Sequence, residues 1–93
     1  MATFIMAMNI NSDAKKAHPD LSHQINVSLE IFSKNNVKVD NIFATLGRYD
    51  YIALFDAGDQ TIAFRVASEI NSLGILETET WPVISYDDFS RLI

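Results

Sequence analysis

The stretch Leu46-Gly47-Arg48-Tyr49-Asp50-Tyr51 joins two segments that both have the composition of β-strands. Residues 37–46 precede the turn and residues 50–56 follow it, and both are rich in apolar side chains, so the sequence predicts a β-hairpin that turns at Gly47. A hairpin turn needs a glycine or an aspartate, but it does not need an arginine and two tyrosines as well. This turn is therefore also a candidate binding loop.

A strand and a helix are predicted before the hairpin. Residues 3–10 are large and apolar without helical spacing, which is typical of a strand. A helix is predicted from near Pro19 to Asn35-Asn36, because apolar residues recur there every three or four positions and asparagine tolerates the left-handed conformation at a helix end. Its apolar face consists of Leu21, Ile25, Leu29 and Phe32.

A second helix and a fourth strand are predicted after the hairpin. Asp59 is the expected cap of the helix, which ends at Leu73-Gly74. Residues 75–84 form the strand, and Pro82, which has no backbone N–H, places it at an edge of the sheet. Ser85 is expected to cap a short last helix, Tyr86 to Leu92.

The predicted order of elements, β-α-β-β-α-β, defines the fold class. Right-handed crossovers and an adjacent hairpin give an α+β, ferredoxin-like sandwich, with a four-stranded antiparallel sheet and two helices on one face. The 93 residues are expected to form a single domain, 1–93.

Composition excludes several classes of function. The net charge of -5 disfavours binding to nucleic acid, because an acidic surface repels phosphates. The chain has no cysteine, which excludes disulfide and thiolate chemistry. The apolar runs are too short to span a membrane, and the N-terminal region lacks the pattern of a signal peptide. We therefore expect a cytoplasmic protein that binds neither nucleic acid nor membranes.

Both faces of the central strands are apolar, which predicts a homodimer. In the first strand Phe4, Met6 and Met8 alternate with Ile5 and Ala7, and the third strand shows the same pattern. A two-layer sandwich covers only one face of its sheet with helices, so the open face is expected to pack against a second copy. Higher oligomers are also compatible with this pattern.

Two resemblances fit this fold. The segment Thr45 to Asp50, together with Leu73-Gly74 and Glu77-Thr78-Glu79-Thr80, is similar to the GYD-domain family over nearly the whole chain. That resemblance implies a dimeric α+β barrel and no settled activity. Gly47-x-Tyr49-Asp50, with Gly74 and Thr78-Glu79-Thr80, also resembles the effector-binding domain of leucine-responsive, AsnC-type regulators, in which the turn binds a small amino acid where subunits meet. No helix-turn-helix segment precedes the first strand, so we expect a binding module and not a complete DNA-binding regulator.

The candidate ligand-binding residues are those of the turn. Arginine can hold a carboxylate through two parallel hydrogen bonds, and aspartate can accept from an amine. In the structural alternative, the glycine makes the turn, the aspartate caps it, and the tyrosines pack with their hydroxyl groups outward. The ligand-binding candidates are Gly47, Arg48, Tyr49, Asp50 and Tyr51.

Other candidate residues carry weaker signals. His18 and His23 are five positions apart with Pro19 between them, which is not the spacing of a helical metal site, so neither a metal nor a cofactor is predicted. Glu77 and Glu79 share one face of an edge strand, where charged guards against aggregation are more common than paired catalytic acids.

Three classes of function follow. The leading hypothesis is non-catalytic binding of a small molecule, an amino acid or a small acid, by a homodimer. The first alternative, by analogy with other dimeric α+β barrels, is a cofactor-free or haem-linked monooxygenase or isomerase. The second is a structural accessory subunit.

Overall fold

The computed structural model of the protein describes residues 2–11 and 21–93. The predicted helix start near Pro19 and the candidate His18 lie outside the described residues. The elements in chain order are β1 (Ala2–Ile10), α1 (Leu21–Lys34), β2 (Lys38–Ala44), β3 (Tyr51–Ala57), α2 (Gln60–Ser72), β4 (Leu76–Val83) and α3 (Tyr86–Leu92). This order confirms the predicted ferredoxin-like α+β fold with a short C-terminal helix.

The four strands form one antiparallel sheet in the order β2-β3-β1-β4. The two apolar strands β1 and β3 are therefore central, and β4 lies at an edge, as Pro82 predicted. Pro82 pairs with Phe4 in the register between β1 and β4.

One face of the sheet carries the core. Phe4 and Phe55 face each other across β1 and β3, and their rings stack with centroids 5.5 Å apart. Phe32 of α1 contacts Phe55 edge-on at 5.0 Å, which joins the helix layer to the sheet. The other large or central residues of this core include Met6, Met8, Ile10, Ala53, Ala63, Val66, Ile70 and Leu76.

On the opposite, open face of the sheet the middle of the central strands is also apolar, as the alternation predicted, whereas Glu77 and Glu79 of the edge strand β4 are charged. Ile5 pairs with Leu54 on one side and with Trp81 on the other, so their side chains share this face. Phe43 of β2 pairs with Ile52, and it is 53% exposed. α1 and α2 do not pack there, because they cover the Phe55 side.

The ends of the helices follow the expected capping chemistry. The Asp59 side chain accepts a hydrogen bond from the backbone N–H of Ile62, and Ser85 accepts one from Asp88. Asn36 and Gly74, which follow α1 and α2, have φ angles of 58° and 72°. Both lie in the left-handed region, so the predicted use of asparagine and glycine at these positions is confirmed.

The hairpin connection is longer than the sequence indicated. β2 ends at Ala44, not at residue 46, so residues 45–50 form a loop and not a tight turn.

α3 packs only weakly on the other described elements, and Tyr86, Phe89 and Leu92 on it are exposed. No helix in residues 21–93 is long and apolar enough to cross a membrane.

Candidate functional site

The loop of residues 45–50 lies beside the end of β1. The Thr45 backbone N–H donates to the Asp50 carbonyl at 3.0 Å, and the Thr45 hydroxyl donates to the Tyr49 carbonyl. These two bonds close the base of the loop. The register between β1 and β3, which pairs Met8 with Tyr51, sets this base next to the last residues of β1.

Asp50 attaches the loop to β1. Its carboxylate accepts a hydrogen bond from the backbone N–H of Ile10 at 2.9 Å. Its own N–H lies 3.0 Å from both the Met8 carbonyl oxygen and the Asn9 side-chain oxygen. The Asp50 carboxylate therefore positions the loop against β1, which is the role that the structural alternative gave it.

The tip of the loop is exposed. Leu46, Gly47 and Arg48 all lie at the surface. Gly47 does not have a positive φ, and a Cβ added to it would meet no atom within 4 Å. Nothing in the described residues requires glycine at this position, so they do not support the interpretation that Gly47 is needed to make the turn.

The two tyrosines of the candidate set lie on different faces. Tyr49 contacts Trp81 edge-on, with ring centroids 6.0 Å apart, and Trp81 belongs to the open face of β4. Tyr51 pairs with Met8 on the helix-covered face and packs against the core. Of the five candidates, Arg48 and Tyr49 are thus the side chains at the surface or on the open face, while Tyr51 is mainly a core residue.

The weaker candidates remain dispersed. His23 is exposed on α1. Glu77 and Glu79 are exposed on β4, where they pair with Asn9 and Ala7 on the open face. Within the described part of the chain, no group of three or more histidine, aspartate or glutamate residues could hold a metal ion.

Sequence reasoning missed a pair of carboxyl groups at the opposite end of the sheet. The pairing of β2 and β3 shifts between Val39 and Asn41, so Asp40 is the extra residue of a bulge. Its hydrogen bond with Asp56 raises the pKa of Asp40. The Thr3 hydroxyl, 2.8 Å from Asp56, donates to it and lowers the pKa of Asp56. Only the strand register brings these residues together, and no sequence motif marks it.

A groove between α2 and β4 was also missed. Its volume is about 370 Å³. It is lined by Phe4, Gln60, Ala63, Phe64, Ala67, Ser68, Asn71, Thr78, Thr80 and Pro82. None of the five predicted ligand-binding residues lines it.

The fold and the loop define a small α+β domain of ferredoxin-like topology. The GYD domain model matches residues 4–93, and the chain belongs to the GYD domain family. No curated protein matches the sequence significantly.

Solved structures share the fold at low sequence identity. TTHA0845 from Thermus thermophilus is 21% identical with a TM-score of 0.61, over 91% of this chain and 95% of that one. A feast or famine regulatory protein from M. tuberculosis, Rv3291c, complexed with L-methionine, is 12% identical with a TM-score of 0.60, over 91% of this chain and 51% of that one. The prephenate dehydratase of Staphylococcus aureus is 18% identical with a TM-score of 0.62, over 85% of this chain and 28% of that one.

Proposed function

We propose that the protein is a cytoplasmic, non-catalytic binding module for an amino acid or another small carboxylic acid. It works as a homodimer that packs the open faces of two sheets together, and the ligand binds at the loop of residues 45–50. The observation that carries the proposal is the attachment of this loop to β1 through Asp50, with Arg48 exposed in the loop and the neighbouring Tyr49 in contact with Trp81 of the open face.

The open face supports the homodimer. Phe43 and Trp81 are 53% and 39% exposed, and the central residues Ile5 and Leu54 lie between their strands. The burial of apolar surface of this kind lowers the free energy of the assembly, because water is released from it. A stable interface of this type buries about 1,200 Å² or more in total.

The loop supports recognition of a carboxylate. An arginine guanidinium donates two parallel hydrogen bonds to a carboxylate, and such bonds are stronger than those between neutral groups. Asp50 limits the freedom of the loop through Ile10, so less conformational entropy is lost when Arg48 binds. Tyr49, in contact with Trp81, links the loop to the proposed interface.

One structural neighbour binds a ligand of this class. The M. tuberculosis regulatory protein was solved with L-methionine, which carries a carboxylate. At 12% identity the likeness shows the fold alone, so the choice of ligand rests on Arg48.

Isothermal titration of the purified protein with the free amino acids, acetate and benzoate tests the proposal. At least one of these carboxylates should bind, and Arg48→Ala should weaken that binding tenfold or more, because charge-assisted hydrogen bonds are lost. Arg65→Ala is the matched control, since Arg65 is an exposed arginine on α2. If no carboxylate binds, or if Arg48→Ala and Arg65→Ala bind equally well, the loop is not the site.

A further inference from the structure

We propose that the groove between α2 and β4 is a second binding site, which takes an uncharged aromatic compound carrying a hydroxyl or carbonyl group. This inference goes beyond the function proposed above, because it concerns another site and a ligand of different charge.

The groove has the dimensions of a small-molecule site. Its volume of about 370 Å³ falls within the range of known ligand pockets. Along α2 the lining runs from Gln60 to Asn71, which corresponds to a length of about 16 Å at the rise of an α-helix. The hydrogen bond from the Thr78 hydroxyl to the Asn71 side-chain oxygen, 2.9 Å long, joins strand to helix at one end.

The walls favour an aromatic ring. Phe64 is 70% exposed on α2 although it is a large apolar residue, and it lines the groove together with Phe4 and Pro82. Aromatic side chains stack on or pack edge-on against other rings, with a gain beyond the burial of apolar area. A flat ring between Phe64 and Pro82 would remove both from water.

The polar part of the lining selects for a neutral ligand. It consists of Gln60, Ser68, Asn71, Thr78 and Thr80. None of these side chains is charged, and each can donate or accept a hydrogen bond. An ionised ligand would lose its hydration without gaining an opposite charge, which is costly, whereas a hydroxyl or carbonyl group would find partners.

Thr80 supplies the observation that points to a ligand. Its hydroxyl oxygen is buried, and among the described residues it has no hydrogen-bond partner. The Thr78 hydroxyl, on the same face of β4, is paired with Asn71. Buried polar groups are normally hydrogen-bonded, so a rotation of the Thr80 side chain that turns its hydroxyl toward a ligand group in the groove would correct this deficit.

The groove would stay open in the proposed homodimer. Phe4 and Thr80 belong to the helix-covered face of the sheet, whereas the proposed dimer interface is the opposite face. A ligand could therefore enter between α2 and β4 without separating the two copies, and without contacting Arg48.

The test compares three ligands of similar shape and different charge by ¹H–¹⁵N NMR titration: benzyl alcohol, benzoate and benzylamine. Benzyl alcohol should shift the amide signals of Thr78, Thr80 and Ser68 in a saturable way, and each ion should bind these residues at least tenfold more weakly. No shift with benzyl alcohol at these residues, or equal affinities for all three compounds, would overturn the proposal.

Two variants locate the binding. Ser68→Phe fills the groove from an exposed position on α2, so it should abolish binding while the amide spectrum stays that of a folded protein. Thr80→Val keeps the side-chain shape and removes the hydroxyl, so it should weaken benzyl alcohol about fivefold. Unchanged affinity in both variants contradicts the site.

The two proposed sites can fail separately. Arg48→Ala should leave the affinity for benzyl alcohol unchanged, and Ser68→Phe should leave carboxylate binding at the loop unchanged. If Arg48→Ala also removes benzyl alcohol binding, there is one site and the groove is not it.

Discussion

The Asp50 carboxylate accepts a hydrogen bond from the backbone N–H of Ile10, 2.9 Å away and 40 positions distant in the sequence. The Ile10 side chain is buried, only 4% exposed, so this N–H lies at the edge of the core. The contact holds the loop of residues 45–50 against the last residues of β1.

We expect Asp50→Ala to lower the free energy of unfolding by about 1–3 kcal/mol, because it leaves the Ile10 N–H without its acceptor. Urea denaturation followed by circular dichroism measures this. Asp87→Ala, at an exposed aspartate on α3, should have no measurable effect. Equal stability of the two variants would show that the bond to Ile10 contributes nothing.

Replacing Phe43 by lysine should weaken the proposed homodimer. Phe43 is 53% exposed on the open face, and a charge there would have to be desolvated in the interface. Sedimentation equilibrium should show dimers for the unmodified protein and a shift toward monomers for Phe43→Lys. Phe64→Lys is the control, because Phe64 is also an exposed phenylalanine but lies on α2, away from the proposed interface. A protein that is monomeric at micromolar concentration before any substitution would refute the homodimer.

The glycines at positions 47 and 74 should respond differently to alanine. Gly74 has a φ of 72°, where a Cβ clashes with its own backbone, so Gly74→Ala should cost about 1–2 kcal/mol of unfolding free energy. Gly47→Ala should change it by less than about 0.5 kcal/mol, because its φ is not positive and the added Cβ has open space. Thermal denaturation of both variants tests this difference, and a larger loss at Gly47 would contradict it.

Asp40→Asn should stabilise the protein at neutral pH. The pKa of Asp40 is raised above 3.8 in the folded state. Its ionised form therefore opposes folding, and this loss of stability is complete once the pH exceeds the raised pKa. Asparagine removes the repulsion between the two carboxylates, and its side-chain N–H can donate to Asp56.

The pH dependence of the Asp40→Asn effect shows whether it comes from the titration of Asp40. The gain from Asp40→Asn should be full above the raised folded pKa of Asp40 and should shrink as the pH falls from there to 3.8, because Asp40 itself then becomes protonated in the folded state. Asp56 acts in the opposite sense: its lowered pKa contributes stability above 3.8 that is lost as the pH falls through its folded value. Melting temperatures of both proteins between pH 3 and pH 7 measure the difference, and a gain that is the same at every pH would show that the titration of Asp40 is not its cause.

The sequence predicted the parts of the fold that depend on local pattern. Alternation in β1 and β3 indicated two apolar faces, Pro82 indicated an edge strand, and Asp59 and Ser85 indicated helix starts. Each of these signals lies within a few residues of the feature that it predicts, so it could be read without knowledge of the tertiary structure.

The parts that failed depend on register and on packing between distant segments. The bond from Ile10 to Asp50 and the pair of Asp40 and Asp56 arise from strand pairing, and the groove beside Thr80 arises from the packing of α2 on β4. A shift of one residue in a strand exchanges its two faces, and composition alone does not fix that shift. The sequence also could not separate Tyr49 from Tyr51 by the faces on which they lie, because alternation orders side chains only within a strand and Tyr49 lies in the loop of residues 45–50.

The weak packing of α3 has a consequence for how the polypeptide can be handled. No residue after Leu76 belongs to the buried core, and β4 ends at Val83. A polypeptide shortened by cleavage behind Val83 should therefore keep the whole sandwich, so whatever role the residues after it play can be studied apart from folding. Because the residues after Val83 contribute nothing to the buried core, they are a suitable place to attach a fluorophore or an immobilisation tether.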